Sequence, residues 1–272
     1  MKQVFTIPTD QVPTKENSNL SIRIGERHVG FALTNMEDGS LQLLSWYTGQ
    51  RVSVPELDEL YRLHPQLSLP YTRIRICYDH PQSMLIPMEV YNEANNRQLL
   101  ETGYGITEYD EVFCENISNW QIHNTYAVPA EIHHWAIQTF SRAKFAHQYS
   151  VAIKTLTAID EQAQLSVDFR SEDFTVLVSK DNELKLAQTF PYSSPSDVIY
   201  YLLNCCNAFE LPGESTRVSI SGLVDKESIL YRELYQYFLG IAFRLPEWPR
   251  VKGENYPSHF FTSLNDLARC ES

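Results

Sequence analysis

Apolar residues recur at every second position in two stretches of the chain, the period of a strand with one buried face. The first stretch runs from Leu20 to Gly49 and the second from Leu165 to Ser193. At an offset of 145 positions, the distance from Leu20 to Leu165, they align without a gap over fourteen residues. Ile22, Ile24, Val29, Phe31 and Leu33 fall opposite Val167, Phe169, Phe174, Val176 and Val178. Turn formers follow in each, Glu37-Asp38-Gly39-Ser40 and Lys180-Asp181-Asn182-Glu183, because Asn, Asp and Gly tolerate positive φ. A third strand follows each turn, through Leu41, Leu43 and Trp46 and through Leu184, Leu186 and Phe190. The pattern predicts one three-strand unit used twice.

Between the copies the spacing changes to helical. Ser53-Val-Pro-Glu56 reads as a capping box opening a short helix that carries Leu57, Leu60 and Tyr61. Thr72 to Tyr78 alternates as a strand, Asp79-His80-Pro81 turns it, and Ser83 to Ile86 is another. A polar helix is predicted from Val90 to Leu100, strands over 111–117 and 120–128, a helix through Ile132, Trp135, Ala136 and Phe140, and a second from His147 to Ile159. In the second half Ser194-Pro-Ser-Asp197 is again a capping box, before a helix with a broad apolar stripe that Pro212-Gly213 ends. Arg217 to Ser221 reads as a strand, and Asp225 as the cap of a helix reaching Ile241. The segments divide into an N-terminal arm at 1–19, a first lobe at 20–162, a second at 163–248, and an aromatic-bearing tail at 249–272 packed on the body.

Composition narrows the function classes. The 272 residues suit two lobes better than one small core. A net charge of −12 opposes nucleic-acid partners, which need Lys and Arg against phosphate, and opposes anionic membrane surfaces. No run has the length of a signal-peptide core or of a membrane span, so a cytoplasmic protein without membrane insertion is expected. Five scattered cysteines without a CxxC spacing read as reduced thiols.

The stretches AVPAEIHHW, KFAHQYS and LSVDFRSEDFTVLV, continuing as AQTFPYSSPSDVIYYLLN, RVSISGLVDKESILYRELYQYF and HFFTSLNDLARCE, carry a resemblance over nearly the whole chain. The wording resembles a bacterial domain-of-unknown-function family assigned to the actin-like ATPase fold, within the ribonuclease H-like group. More remotely it is similar to the cytoplasmic actin-like domains of type II secretion and type IV pilus assembly proteins. The resemblance implies an α/β fold, duplicated, with two lobes that each hold a mixed sheet flanked by helices.

It also implies a place for chemistry. In actin-like ATPases the first hairpin of each lobe resembles Asp-x-Gly followed by Ser or Thr. The Asp orients magnesium or water, and the Gly admits phosphate to backbone N–H groups. Here the first loop keeps Gly25 but has Arg23 at the Asp position, followed by Glu26 and Arg27. The second keeps Asp168 but has Arg170 at the Gly position, followed by Ser171. Gly222 alone stands where an adenosine motif has two glycines. These residues, Arg23, Gly25, Arg27, Asp168, Arg170, Ser171 and Gly222, would line a nucleotide cleft between the lobes. A bland account pairs the arginines with Glu26, Glu172 and Asp173 at a solvated strand end.

Hydrolysis of ATP with Mg²⁺ needs carboxylates that these loops lack in part, so an enzyme is not expected. A ribonuclease H-like nuclease would need several carboxylates, and Asp168 alone stands in the expected strand position. Glu131, His133 and His134 are poor metal ligands as a set, because adjacent histidines leave a helix in different directions. The acidic loop Glu108, Asp110, Glu111 and Glu115 reads as solvated surface, and Tyr200 and Tyr201 as packing. The expectation is a catalytically degenerate actin-like scaffold that binds a protein partner, and the alternative is a nucleotide-binding switch or weak ATPase using ATP and Mg²⁺.

Overall fold

The computed structural model describes residues 1–8, 17–156, 163–212, 216–248 and 256–270. The chain divides into two compact units. The first holds Met1–Thr155 and takes the part of the helix Thr262–Arg269 from Leu264 onward; the second holds Leu156–Glu247, the short turn of helix at Ser258–Phe261 and the first two residues of that last helix. The sequence boundary between lobes at 162–163 falls at residues 157–162, which lie outside the described residues.

In the first unit the strands are β1 (Lys2–Pro8), β2 (Ser18–Gly25), β3 (His28–Asn35), β4 (Leu41–Thr48), β5 (Arg73–Asp79), β6 (Ser83–Pro87), β7 (Asp110–Ile117), β8 (Ile122–Pro129) and β9 (Lys144–His147). The helices are α1 (Val54–Leu63), α2 (Asn96–Tyr104), α3 (Ala130–Thr139) and α4 (Gln148–Thr155). A six-stranded sheet has the order β1-β4-β3-β2-β5-β9, and a three-stranded sheet the order β6-β8-β7. The second unit has β10 (Gln164–Phe169), β11 (Asp173–Lys180), β12 (Glu183–Pro191), α5 (Pro195–Ala208), β13 (Arg217–Gly222), α6 (Ile229–Leu234) and β14 (Gly240–Phe243). Its sheet has the order β12-β11-β10-β13-β14. The last helix, α7 (Thr262–Arg269), follows.

The duplication holds at the level of register. Leu20 pairs with Leu33 across the first hairpin, and Leu165 with Val178 across the second, the same offset on both strands. On the other side Leu20 lies beside Ile74 in parallel β5, and Leu165 beside Val218 in parallel β13. One slip would turn every side chain to the wrong face, so equal registers reflect equal hydrophobic patterns. Leu20, Ile22 and Leu33 enter the first core; Leu165, Val167 and Val178 enter the second. Burying each such side chain stabilises by about 1.5–3 kcal/mol. The β11–β12 turn places Asp181 and Asn182 at φ 54° and 58°, the paired left-handed geometry of a two-residue hairpin. Both capping boxes form: Ser53 N donates to Glu56 Oε2 at 3.0 Å and Ser194 N to Asp197 Oδ2 at 2.9 Å.

Four elements differ from the sequence reading. Within the supposed 1–19 arm, Lys2–Pro8 is an edge strand on β4, because Phe5 and Ile7 alternate into the protein while Lys2, Gln3 and Val4 face out. The polar helix starts later, at Asn96, and ends at Gly105 in the left-handed conformation. Lys144–His147 pairs with β5 as a strand, and the helix begins at Gln148; Ile159 lies outside the described residues. Ser228, not Asp225, caps the helix after β13, accepting from Tyr231 N at 3.1 Å, and Ile241 lies in a strand beyond its end. In the tail, Phe261 and Leu264 are buried, whereas Tyr256 is exposed.

Candidate functional site

Strand alternation decides where the first-loop residues point. On β2, Leu20, Ile22 and Ile24 belong to the core cluster, which leaves Ser21 and Arg23 for the opposite face. That face is also covered: Cys77 of β5 packs with Val151 of α4 and Leu267 of α7. Arg23 is therefore buried. Its guanidinium donates to Asp79 Oδ2 from Nε at 3.0 Å and from Nη2 at 2.7 Å. His28 Nε2 stands 3.0 Å from the same oxygen. Trp46 lies against the group, stacked on His28 at 5.0 Å and 5.8 Å from the Arg23 guanidinium carbon.

Gly25 has a packing reason for its missing side chain. A Cβ there would stand 2.2 Å from the His28 ring. The bland sequence reading sets the arginines against Glu26, Glu172 and Asp173 at a solvated strand end; Arg23 instead pairs with Asp79, and the pair is buried. Glu26 instead accepts from Gln82 Nε2 at 3.0 Å, and Arg27 is exposed.

The second unit carries the charges in exchanged positions. Asp168 occupies the register of Arg23: Arg23 pairs with Gly30, and Asp168 with Thr175. Its Oδ1 accepts from Ser221 Oγ at 2.8 Å, and its Oδ2 lies 3.7 Å from Arg170 Nη1. Arg170, at the position of Gly25, is buried and donates from Nε to Asp173 and from Nη2 to Thr175 Oγ1 at 2.9 Å. Ser171 is exposed. Gly222 has φ +83°, and a Cβ there would stand 2.1 Å from the backbone oxygen of Phe169. Its glycine is required by the approach of β13 to β10.

Inside the first unit a cavity of about 390 Å³ is lined by Gly25, Glu26 and Arg27 together with His80, Asp110 and Glu131. Its wall carries both signs of charge. His80 is buried, and burial pushes its imidazole below the ordinary range. Glu131 faces this cavity while His134 Nε2 contacts Glu111 Oε1 at 2.8 Å and His133 Nδ1 contacts the Tyr78 hydroxyl at 2.7 Å. Among the described residues no three His, Cys, Asp or Glu side chains converge as metal ligands. No helix among them is long and apolar enough to cross a membrane.

Sequence reasoning missed Asp79 and His28. By its sequence neighbours, Asp79-His80-Pro81, Asp79 reads as a turn residue. The signal was there: Arg73, Arg75, Cys77 and Asp79 share one strand face, and the parallel pairing sets Asp79 opposite Gly25.

Comparisons with known proteins agree on the fold. The family described as "Protein of unknown function (DUF3822)" matches residues 8–241. A crystal structure from Bacteroides thetaiotaomicron VPI-5482, described as a protein with actin-like ATPase fold and unknown function, superposes with a TM-score of 0.77 at 18% identity. That match covers 94% of this chain and 97% of the other. The PilM–PilN type IV pilus biogenesis complex gives a TM-score of 0.63 at 11% identity, covering 92% of this chain and 97% of the other. No curated protein matches the chain.

Proposed function

The chain belongs to the family of proteins of unknown function DUF3822 and has an actin-like ATPase fold, and from that premise we propose that it is a catalytically degenerate actin-like module acting by binding a protein partner. The observation that carries this reading is the buried Arg23–Asp79 pair. Magnesium-assisted phosphoryl transfer relies on carboxylates free to hold the ion and its water. In the first unit the position of that carboxylate is a guanidinium, and the nearby Asp79 is held by Arg23 with His28 beside it. In the second, Arg170 fills the position where a glycine would admit phosphate. A fold kept intact around altered loops suits recognition better than turnover, since function resides in sites and not in folds. A protein of the same fold, PilM, is described in complex with PilN, which supports a protein as the class of partner.

A nucleotide-binding switch is the second reading. Asp168 retains 14% side-chain exposure, and Gly25 and Arg27 line the cavity of the first unit. Arginine can hold phosphate through its side chain. Thermal unfolding with ATP, ADP and GTP, each with and without Mg²⁺, separates the readings. A ligand that binds only the folded chain raises its melting temperature. The scaffold reading expects superimposable curves; a rise that depends on nucleotide concentration would establish the switch.

A further inference from the structure

Sheet edges expose unpaired N–H and C=O groups, and proteins ordinarily guard them with charge or proline. Among the described strands five of the six edges follow this rule. β1 starts at Lys2 and ends at Pro8, and β9 starts at Lys144. β12 holds Glu183 and Lys185 and ends at Pro191. β6 ends at Pro87, and β7 carries Asp110, Glu111 and Glu115. β14 is different. The strand itself, Gly240–Phe243, and its approach from Leu234 hold no charged residue and no proline, and the first charge is Arg244, directly past its end.

This unguarded edge is bordered by exposed apolar side chains. Leu239 is 66% exposed and Leu245 62%, one at each end of the strand, with Tyr235 and Tyr237 also exposed beside it. Arg244 N donates to Ile220 O at 2.8 Å, so by strand alternation the Ile241 and Phe243 amides face away from β13. Their side chains pack against the core of the second unit, with Phe243 stacked on Tyr231 at 5.0 Å. Gly240 and Ala242 leave the other face low.

We propose that β14 is a docking edge that accepts an extended segment of a partner protein as an added strand, with alternate apolar side chains of that segment lying beside Ile241 and Phe243. Main-chain hydrogen bonds would supply affinity and the alternate side chains selectivity, as in other strand additions. A second copy of this chain fits less well. Four residues of strand extend only about 13 Å, and a stable dimer interface needs about 800 Å² from each partner. Two copies would also each bring a net charge of −12. The same charge favours a segment flanked by Lys or Arg.

The inference rests on the reading of the chain as a protein-binding module, and its test is independent of nucleotide chemistry. The probe is a phage-displayed library of random linear peptides selected on the full chain, followed by affinity measurement and amide hydrogen exchange with the enriched sequences. Expected are peptides with alternating apolar positions and basic flanks. The double variant Leu239→Lys, Leu245→Lys, which alters only exposed positions, should weaken binding about tenfold or more. Leu63→Lys, equally exposed on α1, should leave it unchanged. Exchange at Ile241 and Phe243 should slow when peptide is bound. No enrichment, binding indifferent to the double variant, or unchanged exchange at those amides overturns the proposal. So does wild-type self-association that the double variant abolishes, which would make the occupant a second copy. ATP hydrolysis by the chain would count against the module reading while leaving the exchange result to stand by itself.

Discussion

Arg23 donates two hydrogen bonds to a single oxygen of Asp79, Oδ2, with both side chains buried in the sheet of the first unit. Removing one member of a buried pair strands the other charge, which costs about 3–5 kcal/mol, whereas replacing both with apolar groups of similar size can be close to neutral. Arg23→Met should therefore destabilise the first unit by about 3–5 kcal/mol in urea unfolding. The double variant Arg23→Met, Asp79→Leu should cost less than Arg23→Met alone. Additive losses would show that the two residues act separately.

Gly25 and Gly222 should respond differently to a methyl group. Gly25→Ala meets a side chain, the His28 ring, and should cost about 1–3 kcal/mol by overpacking. His28→Ala in the same chain removes the obstacle, so the double variant should lose less than the sum of the singles. Gly222→Ala meets the Phe169 backbone at positive φ and has no such second-site relief. If His28→Ala leaves the Gly25→Ala loss untouched, the packing explanation of Gly25 is wrong.

His147 is buried with its neutral ring fully engaged. Nε2 donates to the His80 carbonyl at 2.8 Å, and Nδ1 accepts from Asn124 Nδ2 and Tyr149 N, each at 3.2 Å. Burial lowers its pKa from 6.5 to about 4. Between these values the unfolded chain binds more protons, so stability from the neutral ring is complete above about pH 6.5 and is lost as pH falls toward 4, amounting to about 3 kcal/mol. Glu115, whose carboxyl burial raises, acts with the opposite sign. The comparison is therefore wild type against His147→Gln by urea unfolding across pH. Wild type should lead most at pH 7 and lose that lead by about pH 4; a constant gap would contradict the assignment.

The fold was legible because its largest signal is local. Period-2 alternation and the turn residues gave both hairpins, and the offset from Leu20 to Leu165 gave the repeat. Ambiguity arose where two periods coincide. Leu234, Phe238 and Ile241 stand at helical spacing, while Ile241 and Phe243 stand at strand spacing, and Gly240 between them starts the strand. The site was legible only by position. Arg23, Gly25, Asp168 and Arg170 were found at the hairpin ends, but their partners depend on long-range register. Asp79, 56 positions from Arg23, could be joined to it only once β2 and β5 were known to be parallel neighbours.

Thiol chemistry should single out one cysteine. Cys114 is exposed, with its sulfur 3.5 Å from His123 Nδ1, whereas Cys77, Cys205 and Cys206 are buried and Cys270 is half-buried. Burial raises the pKa of all four of the latter. Since the thiolate is the reactive form, Cys114 should react first with an aromatic disulfide reagent in the folded chain. Cys114→Ser should abolish the fast phase. A fast phase that survives would place the reactive thiol elsewhere.

The central claim is that the loops of this actin-like chain no longer support nucleotide turnover. Steady-state release of phosphate from ATP with Mg²⁺, compared between wild type and Asp168→Ala, tests it most directly. The account expects no release above background from either protein. Mg²⁺-dependent hydrolysis by wild type that disappears in Asp168→Ala would contradict it.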